Sequence, residues 1–299
     1  WLVYKITEKV SSQKDAALAG LLMASIWFLP MLSVRNLVEI FCIPFTFLGI
    51  LYLLNADLKN QPFLWYLLAG FILGLSISIR FQLIVFVGGA GLVLLIQRKW
   101  LAAIMVGVGS LVSILLLQGW VDYRVWGYPF AEFIEYYEYN LQVAYDYITG
   151  PWYNYLLLLA GILIPPVSLM LLFGFFRVWR KHLMIFLPAF LFLLFHSFFP
   201  NKQERFIFPI IPYIIIGGVI GWNSFILASN YWTKHRRLLT NSWVFFWIVN
   251  IILLIPVSTA YSKRSRVEAM AYLSKYEGIK VVVVEDLNRS SAQMVPRYY

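Results

Sequence analysis

Nine stretches of mostly apolar residues recur along this chain, at 16–32, 39–54, 63–79, 82–96, 100–118, 153–176, 183–199, 206–229 and 242–260. A helix rising about 1.5 Å per residue needs about 20 residues to cross about 30 Å of hydrocarbon, and these stretches are of that order. They constrain the fold more than any other feature. Of the 299 residues 61% are apolar and 13% charged, and mean hydropathy is +0.75. Soluble domains run at about 45–50% apolar and about 25% charged, so a soluble enzyme, a disordered chain and a disulfide scaffold are all excluded. The expected fold is an all-α membrane protein, a multispan helical bundle of about 8–10 transmembrane helices. Residues 1–262 are expected to form the membrane core, with an outer loop at 119–152. Residues 263–299 are expected to begin a small extracytoplasmic segment. Between the third and fourth stretches only Ser78 to Phe81 intervene, as a tight hairpin or as the break in one segment. The single Cys42 lies in an apolar run and has no internal disulfide partner.

The net charge of +10 would suggest nucleic acid in a soluble protein; in a chain this apolar it first reports orientation, and no nucleic-acid partner is expected. With loops assigned alternately to two sides, one set holds twelve cations: Lys5, Lys9, Lys14, Lys59, Arg98, Lys99, Arg177, Arg180, Lys181, Lys234, Arg236 and Arg237. The other holds five, Arg35, Arg80, Arg124, Lys202 and Arg205. The positive-inside rule places the first set in the cytoplasm and the second, with the tail, outside or in the lumen. Glu39, Asp122, Glu132, Glu135, Glu138, Asp146 and Glu204 fall on that outer side. Any chemistry is therefore expected there.

Phe199-Pro200-Asn201-Lys202-Gln203-Glu204-Arg205-Phe206-Ile207-Phe208-Pro209 is the most informative outer segment. Pro209 fits a first helical turn, where its missing N–H costs nothing, so Lys202 and Arg205 are expected just ahead of a helix N-terminus. Amide groups, helix dipole and two cations there suit a phosphate; anchoring at lipid headgroups is the plain alternative. Glu204 could hold Arg205 in place. In the 119–152 loop, Phe130, Ile134, Tyr137, Leu141 and Tyr145 share helical spacing, and the glutamates lie on other faces. That pattern describes an amphipathic helix lying on the membrane, whose acidic, Tyr-rich face either bonds sugar hydroxyls or serves as a lid. Arg35 and Glu39 stand one helical turn apart at the outer end of the second span, and Arg80 ends the third. Buried charges at such depth are functional candidates unless they snorkel to the interface. His196 has no companion at metal-ligand spacing, so neither metal nor cofactor is identified. In the tail, a helix over Val267 to Tyr276 and a strand at Val281 to Val284 give a short α/β ending.

Asn201-Lys202-Gln203-Glu204-Arg205-Phe206 with Pro209 resembles the His-Lys-Glu-x-Arg-Phe signature of glycosyltransferase family 22, the mannosyltransferases of N-glycan and GPI-anchor assembly and their bacterial relatives. Asp122, Tyr128 and Asn140 resemble positions of that family's outer loop, and Gly150-Pro151-Trp152-Tyr153-Asn154-Tyr155 its entry into the next span. Ser33-Val34-Arg35 and Arg80-Phe81-Gln82 are weaker matches. The resemblance implies a GT-C bundle transferring a hexose, usually mannose, with inversion, from a polyprenyl or dolichyl phosphate to a lipid-linked or glycan acceptor. It places the active face in the periplasm or the lumen, in a bacterial inner membrane or the endoplasmic reticulum. Arg205, Lys202, Arg35 and Arg80 would bind the donor phosphate, and Glu204, Tyr128, Asn140, Trp152 and Tyr153 would line the acceptor loop. Asp122 would be a supporting carboxylate, with the main base upstream of Trp1. Asn201 stands where the family has His. The alternatives are a transporter or flippase for lipid-linked sugars, or a different GT-C glycosyltransferase. The charges stop at the outer ends of the spans, which favours transfer over transport.

Overall fold

In the computed structural model, residues 1–59, 62–142, 148–261 and 264–278 are described. The apolar stretches become helices, but several are broken where the sequence removes a backbone donor or a neighbouring helix replaces one. Short α1 (Leu2–Val10) and α2 (Gln13–Ser25) lead to a break and then α3 (Leu29–Ser33). At that break Trp27 N donates to Asn250 Oδ1 (2.9 Å) and Asn250 Nδ2 donates to Ser25 O (2.7 Å). Buried backbone groups released by a broken helix must find such partners in an apolar surround. Next come α4 (Val38–Phe41), α5 (Ile43–Lys59), α6 (Leu64–Ile79), α7 (Leu83–Ile96) and α8 (Trp100–Ile114). A π-helical turn, Leu115–Val121, carries α8 directly into α9 (Asp122–Trp126), so the first part of the expected outer loop is helix. Gly127, at φ 85°, ends it in the left-handed conformation that glycine adopts freely. α10 (Ala131–Gln142) follows, then α11 (Asn154–Ile162) and α12 (Val167–Arg177). Pro165 and Pro166 split these two, dividing the expected 153–176 span. Then come α13 (Leu183–Phe198), a 3-10 segment over Glu204–Ile210, α14 (Ile211–Ala228), α15 (Asn230–Lys234), α16 (Arg236–Thr259) and α17 (Arg264–Leu273).

Among the described residues, four continuous helical stretches are long and apolar enough to cross a bilayer: Val38–Ala56, Trp100–Trp126, Glu204–Ala228 and Arg236–Thr259. The count rises to five if Val167–Arg180 and Leu183–Phe198, bent by 119°, form one span. The other expected spans are the shorter apolar helices α6 and α7 and broken pairs. The stretch ending in α14 is 72% buried and that of α16 only 17%, so α14 is the bundle's axis and α16 its outer wall. The fully buried Phe47 and Phe86 pack on Tyr213 of α14, and Phe175 lies beside its Gly217.

Glycine draws helices together at several crossings. A Cβ on Gly70 of α6 would stand 2.2 Å from Val106 O of α8, and one on Gly221 of α14 would stand 2.0 Å from Gly174 O of α12. In lipid, where apolar side chains gain little by leaving the solvent, such close backbone contact is what holds helices together. Only Arg80–Gln82 separate α6 from α7. Among the described residues the tail contributes only α17; the strand expected at 281–284 and Tyr145 and Asp146 of the outer loop lie outside them.

Candidate active site

The loops assigned to the outer set meet at one end of the bundle. Arg80, in extended conformation at the C-terminus of α6, places its Nη1 2.8 Å from Glu39 Oε1; both side chains are 3% exposed. Its Nη2 donates to Phe206 O at 3.2 Å, and its guanidinium lies 5.3 Å from the centre of the Phe206 ring. Burial lowers the Arg80 pKa, and the facing Glu39 carboxylate opposes that effect. Arg205 Nε reaches the same Glu39 oxygen at 3.5 Å and donates to Gln203 Oε1 at 2.9 Å, yet the Arg205 side chain is 49% exposed. One carboxylate thus orients two guanidiniums, one desolvated and one open to a ligand. Glu39 Oε2 and Arg80 Nε are buried without a partner, which in a protein interior calls for a ligand or water.

These groups line a cavity of about 350 Å³ shared with Tyr139, Asn140, Asn201 and Gln203. Asn201 Oδ1 is also buried and unpaired there, an acceptor suited to a hydroxyl. Phe81, Gln82, Tyr136, Asn140 and Phe206 line both this cavity and a neighbouring, largely aromatic one of about 210 Å³. The pair makes a polar chamber beside an apolar slot.

The roof is α10. Its inward face is Phe133, Tyr136 and Asn140: Phe133 and Tyr136 pack on Phe81, and Tyr136 Oη accepts a short hydrogen bond from Gln82 Nε2. Burial raises the Tyr136 pKa, so the phenol stays protonated at neutral pH. Of the stripe read from the sequence, Ile134, Tyr137 and Leu141 are 42, 56 and 63% exposed, and Tyr137 and Leu141 also edge the aromatic slot. Asp122 is buried and its Oδ2 accepts the Glu132 amide at 3.1 Å, so it caps the start of α10 and holds the roof in place. Where the π turn widens the helix, Gln118 turns inward; its Nε2 donates to Ser78 O at 3.2 Å and its main-chain carbonyl accepts the Phe130 amide at 2.8 Å.

Not every residue expected at the site reaches it. Lys202 is 4% exposed, and its Nζ donates to His196 O and Ser197 O at 2.8 Å each and, by a short contact, to Phe199 O. All three N–H groups close the last turn of α13, as a lysine at a helix C-terminus can, and desolvation lowers its pKa. Arg205 lies within the 3-10 turn at Glu204–Ile210 rather than ahead of it, and its carboxylate partner is Glu39, with Glu204 exposed. Arg35 is half-buried on the turn between α3 and α4, and Tyr128, Trp152 and Tyr153 are exposed; none of the four lines the cavity, whereas Asn140 does. The buried neighbour of Trp152 and Tyr153 is Tyr155, whose Oη donates to Gln203 O at 3.1 Å. Tyr136 and Tyr139 are cavity residues that the sequence did not single out, and Glu39, Gln82 and Gln203, though named there, carried no assigned role. For Glu39 the available signal was a carboxylate at the mouth of an apolar span, which must find a cation.

A sequence model of the Alg9-like mannosyltransferase family matches residues 2–290. No curated protein matches the chain. Among solved structures, ArnT from Cupriavidus metallidurans bound to undecaprenyl phosphate is similar, with a TM-score of 0.55 at 18% identity over 91% of this chain and 52% of that one. This chain thus spans about half the length of that structure, and at such identity the likeness is one of fold, the GT-C helical bundle. With the family match running over nearly its whole length, the chain belongs to the Alg9-like mannosyltransferase family.

Proposed function

We propose that this protein is a membrane glycosyltransferase that moves a hexose, mannose by family, from a polyprenyl phosphate carrier to a lipid-linked or glycan acceptor on the extracytoplasmic face, with inversion. The observation that carries this is the Glu39–Arg80–Arg205 cluster, in which a half-exposed guanidinium is held at the wall of a polar chamber. In the reaction the acceptor oxygen attacks the anomeric carbon while the bond to the carrier phosphate breaks. The bonding pair and its negative charge leave with the phosphate. Arg205 meets that charge where it grows, and a preorganised donor in a water-poor site is worth about 3 kcal/mol. Arg80, held on Glu39, adds positive potential from behind. Asn201 and Asn140 offer side-chain amides to sugar hydroxyls, and the aromatic slot under α10 suits the first isoprene units of a carrier or the apolar part of an acceptor. The hydroxyl proton goes to a carboxylate base, which the family resemblance implies is a residue of the first outer loop. The solved relative with undecaprenyl phosphate supports a carrier of this class. Membranes containing the protein should transfer radiolabelled mannose from polyprenyl-phosphate mannose. Arg205→Ala should lower turnover on the order of a hundredfold; near-normal turnover would remove the phosphate role from Arg205.

A further inference from the structure

A cavity of about 1430 Å³ lies at the opposite end of the bundle. α13 separates the two ends: Phe195 and His196 near its C-terminus line the aromatic slot, while His182 at its N-terminus lines this larger cavity. Phe195 lies 13 residues beyond His182, about 20 Å along the helix. Four cations line the cavity: Lys14, Arg177, Arg180 and Lys181. Among the described residues none of the four has a carboxylate partner. The one nearby acid is already engaged, since Asp15 Oδ1 accepts from Asn223 Nδ2 at 2.6 Å and Oδ2 accepts from Ser11 Oγ at 2.5 Å. Two of the guanidiniums are steadied on aromatic rings, Arg177 over Phe225 at 5.2 Å and Arg180 over Trp179 at 4.7 Å. One wall is apolar and open to the flank of the bundle, with Phe173, Phe176 and Leu227 all exposed. Uncompensated cations beside an exposed apolar wall, at the ends of bilayer-length helices, match a molecule with an anionic phosphate head and acyl chains.

We propose that this cavity binds the head group of an anionic phospholipid from the leaflet at that end of the bundle, its acyl chains lying over Phe173, Phe176 and Leu227. The site is separate from the transfer chamber and its occupant is not consumed. The test uses the protein purified in neutral detergent and titrated with phosphatidylglycerol, with phosphatidylcholine, and with soluble glycerol 3-phosphate. Apparent melting temperature and lipid retained in native mass spectrometry are the readouts. Phosphatidylglycerol should raise the melting temperature and be retained, and the other two should not. The triple variant Arg177→Gln, Arg180→Gln, Lys181→Gln should weaken phosphatidylglycerol binding on the order of a hundredfold, the summed effect of three interfacial charges. If that variant does not fold, Lys14→Gln with Lys181→Gln, both exposed, should weaken binding by about tenfold or more. Arg205→Gln should bind phosphatidylglycerol as the parent does; loss of binding there would move the lipid to the transfer chamber and overturn the proposal. Equal effects of phosphatidylcholine or of glycerol 3-phosphate would overturn it too, as would undiminished binding by both lysine and arginine variants.

Discussion

Glu39 holds two arginines, and the structure predicts that breaking the two contacts has opposite consequences for stability and for turnover. The Glu39–Arg80 pair is 2.8 Å long with 3% exposure on both sides. Glu39→Gln keeps the shape but leaves the Arg80 guanidinium buried and uncompensated, which costs about 3 to 5 kcal/mol. Arg205, 49% exposed and 3.5 Å from the same carboxylate, contributes at most about 1 kcal/mol to stability, because water screens it and takes its place. At roughly 2 to 4 °C per kcal/mol for a domain of a few hundred residues, Glu39→Gln should lower the apparent melting temperature on the order of ten degrees and Arg205→Gln by a few degrees at most. Turnover should follow the other order per degree lost: Arg205→Gln is nearly silent in the melt yet slows transfer about a hundredfold. A third variant isolates the pair. Glu39→Gln with Arg80→Gln removes both buried charges, and should recover at least half of the stability lost by Glu39→Gln alone. Differential scanning fluorimetry in one detergent and a mannose-transfer assay on the same preparations supply both readings. If Arg205→Gln were as destabilising as Glu39→Gln, or if the double variant lost the sum of the two single losses, the division between a buried brace and a working cation would be wrong.

Lys202→Met should cost about 1 to 3 kcal/mol by leaving α13 carbonyls unsatisfied, while its transfer rate at saturating donor falls less than about tenfold, because none of the lysine's donors is left for a phosphate; a large rate loss without destabilisation would contradict this. Gly221→Ala drives a methyl to 2.0 Å from Gly174 O and should cost about 1 to 3 kcal/mol, whereas Gly88→Ala, with open space around it, should be neutral or gain up to about 1 kcal/mol; equal melts would show that the helices yield freely. Asn250→Leu removes both partners of the Ser25–Trp27 break and should cost about 2 kcal/mol or more by unfolding of the detergent-solubilised protein. Cys42 is the sequence's one cysteine and is buried, so a cysteine placed at exposed Tyr128 reports sidedness alone; it should react with a membrane-impermeant maleimide from the extracytoplasmic side, and labelling only from the cytoplasm would reverse the proposed orientation.

Hydrophobic length foretold a helical bundle, and alternation of the loops foretold which ones gather at the same end. Arg80, Gln118, Tyr155 and Lys202 all make contacts there with other loops of the outer set or with the turns that border them. What run length could not foretell was interruption. The stretches at 16–32 and 153–176 read as continuous spans, yet both break, one at Ile26 to Phe28 and the other at the Pro165-Pro166 pair. Proline announces the second break in the sequence. The first depends on Asn250, which lies 223 residues from Trp27 and supplies the bonds that the helix gives up. The sequence reads this segment as an amphipathic helix on the membrane, and α10 stands there with Ile134, Tyr137 and Leu141 exposed. A hydrophobic stripe on a membrane protein has two apolar places to go, lipid and bundle, and the stripe alone does not choose between them.

The same ambiguity governs the charges, and the helix ends settle it. A carboxylate at the mouth of a span needs a cation, and three arginines of the outer set, Arg35, Arg80 and Arg205, were available to Glu39. Proximity in sequence favours Arg35, but it sits on the turn before α4 and stays half-buried away from the cavity. Arg80 prevails because the α6 helix stops at Ile79 and the extended residue that follows turns its side chain inward, beside a carbonyl 126 residues away. With one Glu39 oxygen shared and Arg80 fully enclosed, Arg205 is anchored at its Nε while the rest of its side chain is half open. That asymmetry separates a site from a salt bridge: a guanidinium closed on all sides can only stabilise, whereas one anchored at a single nitrogen keeps its remaining donors for an anion that arrives and leaves.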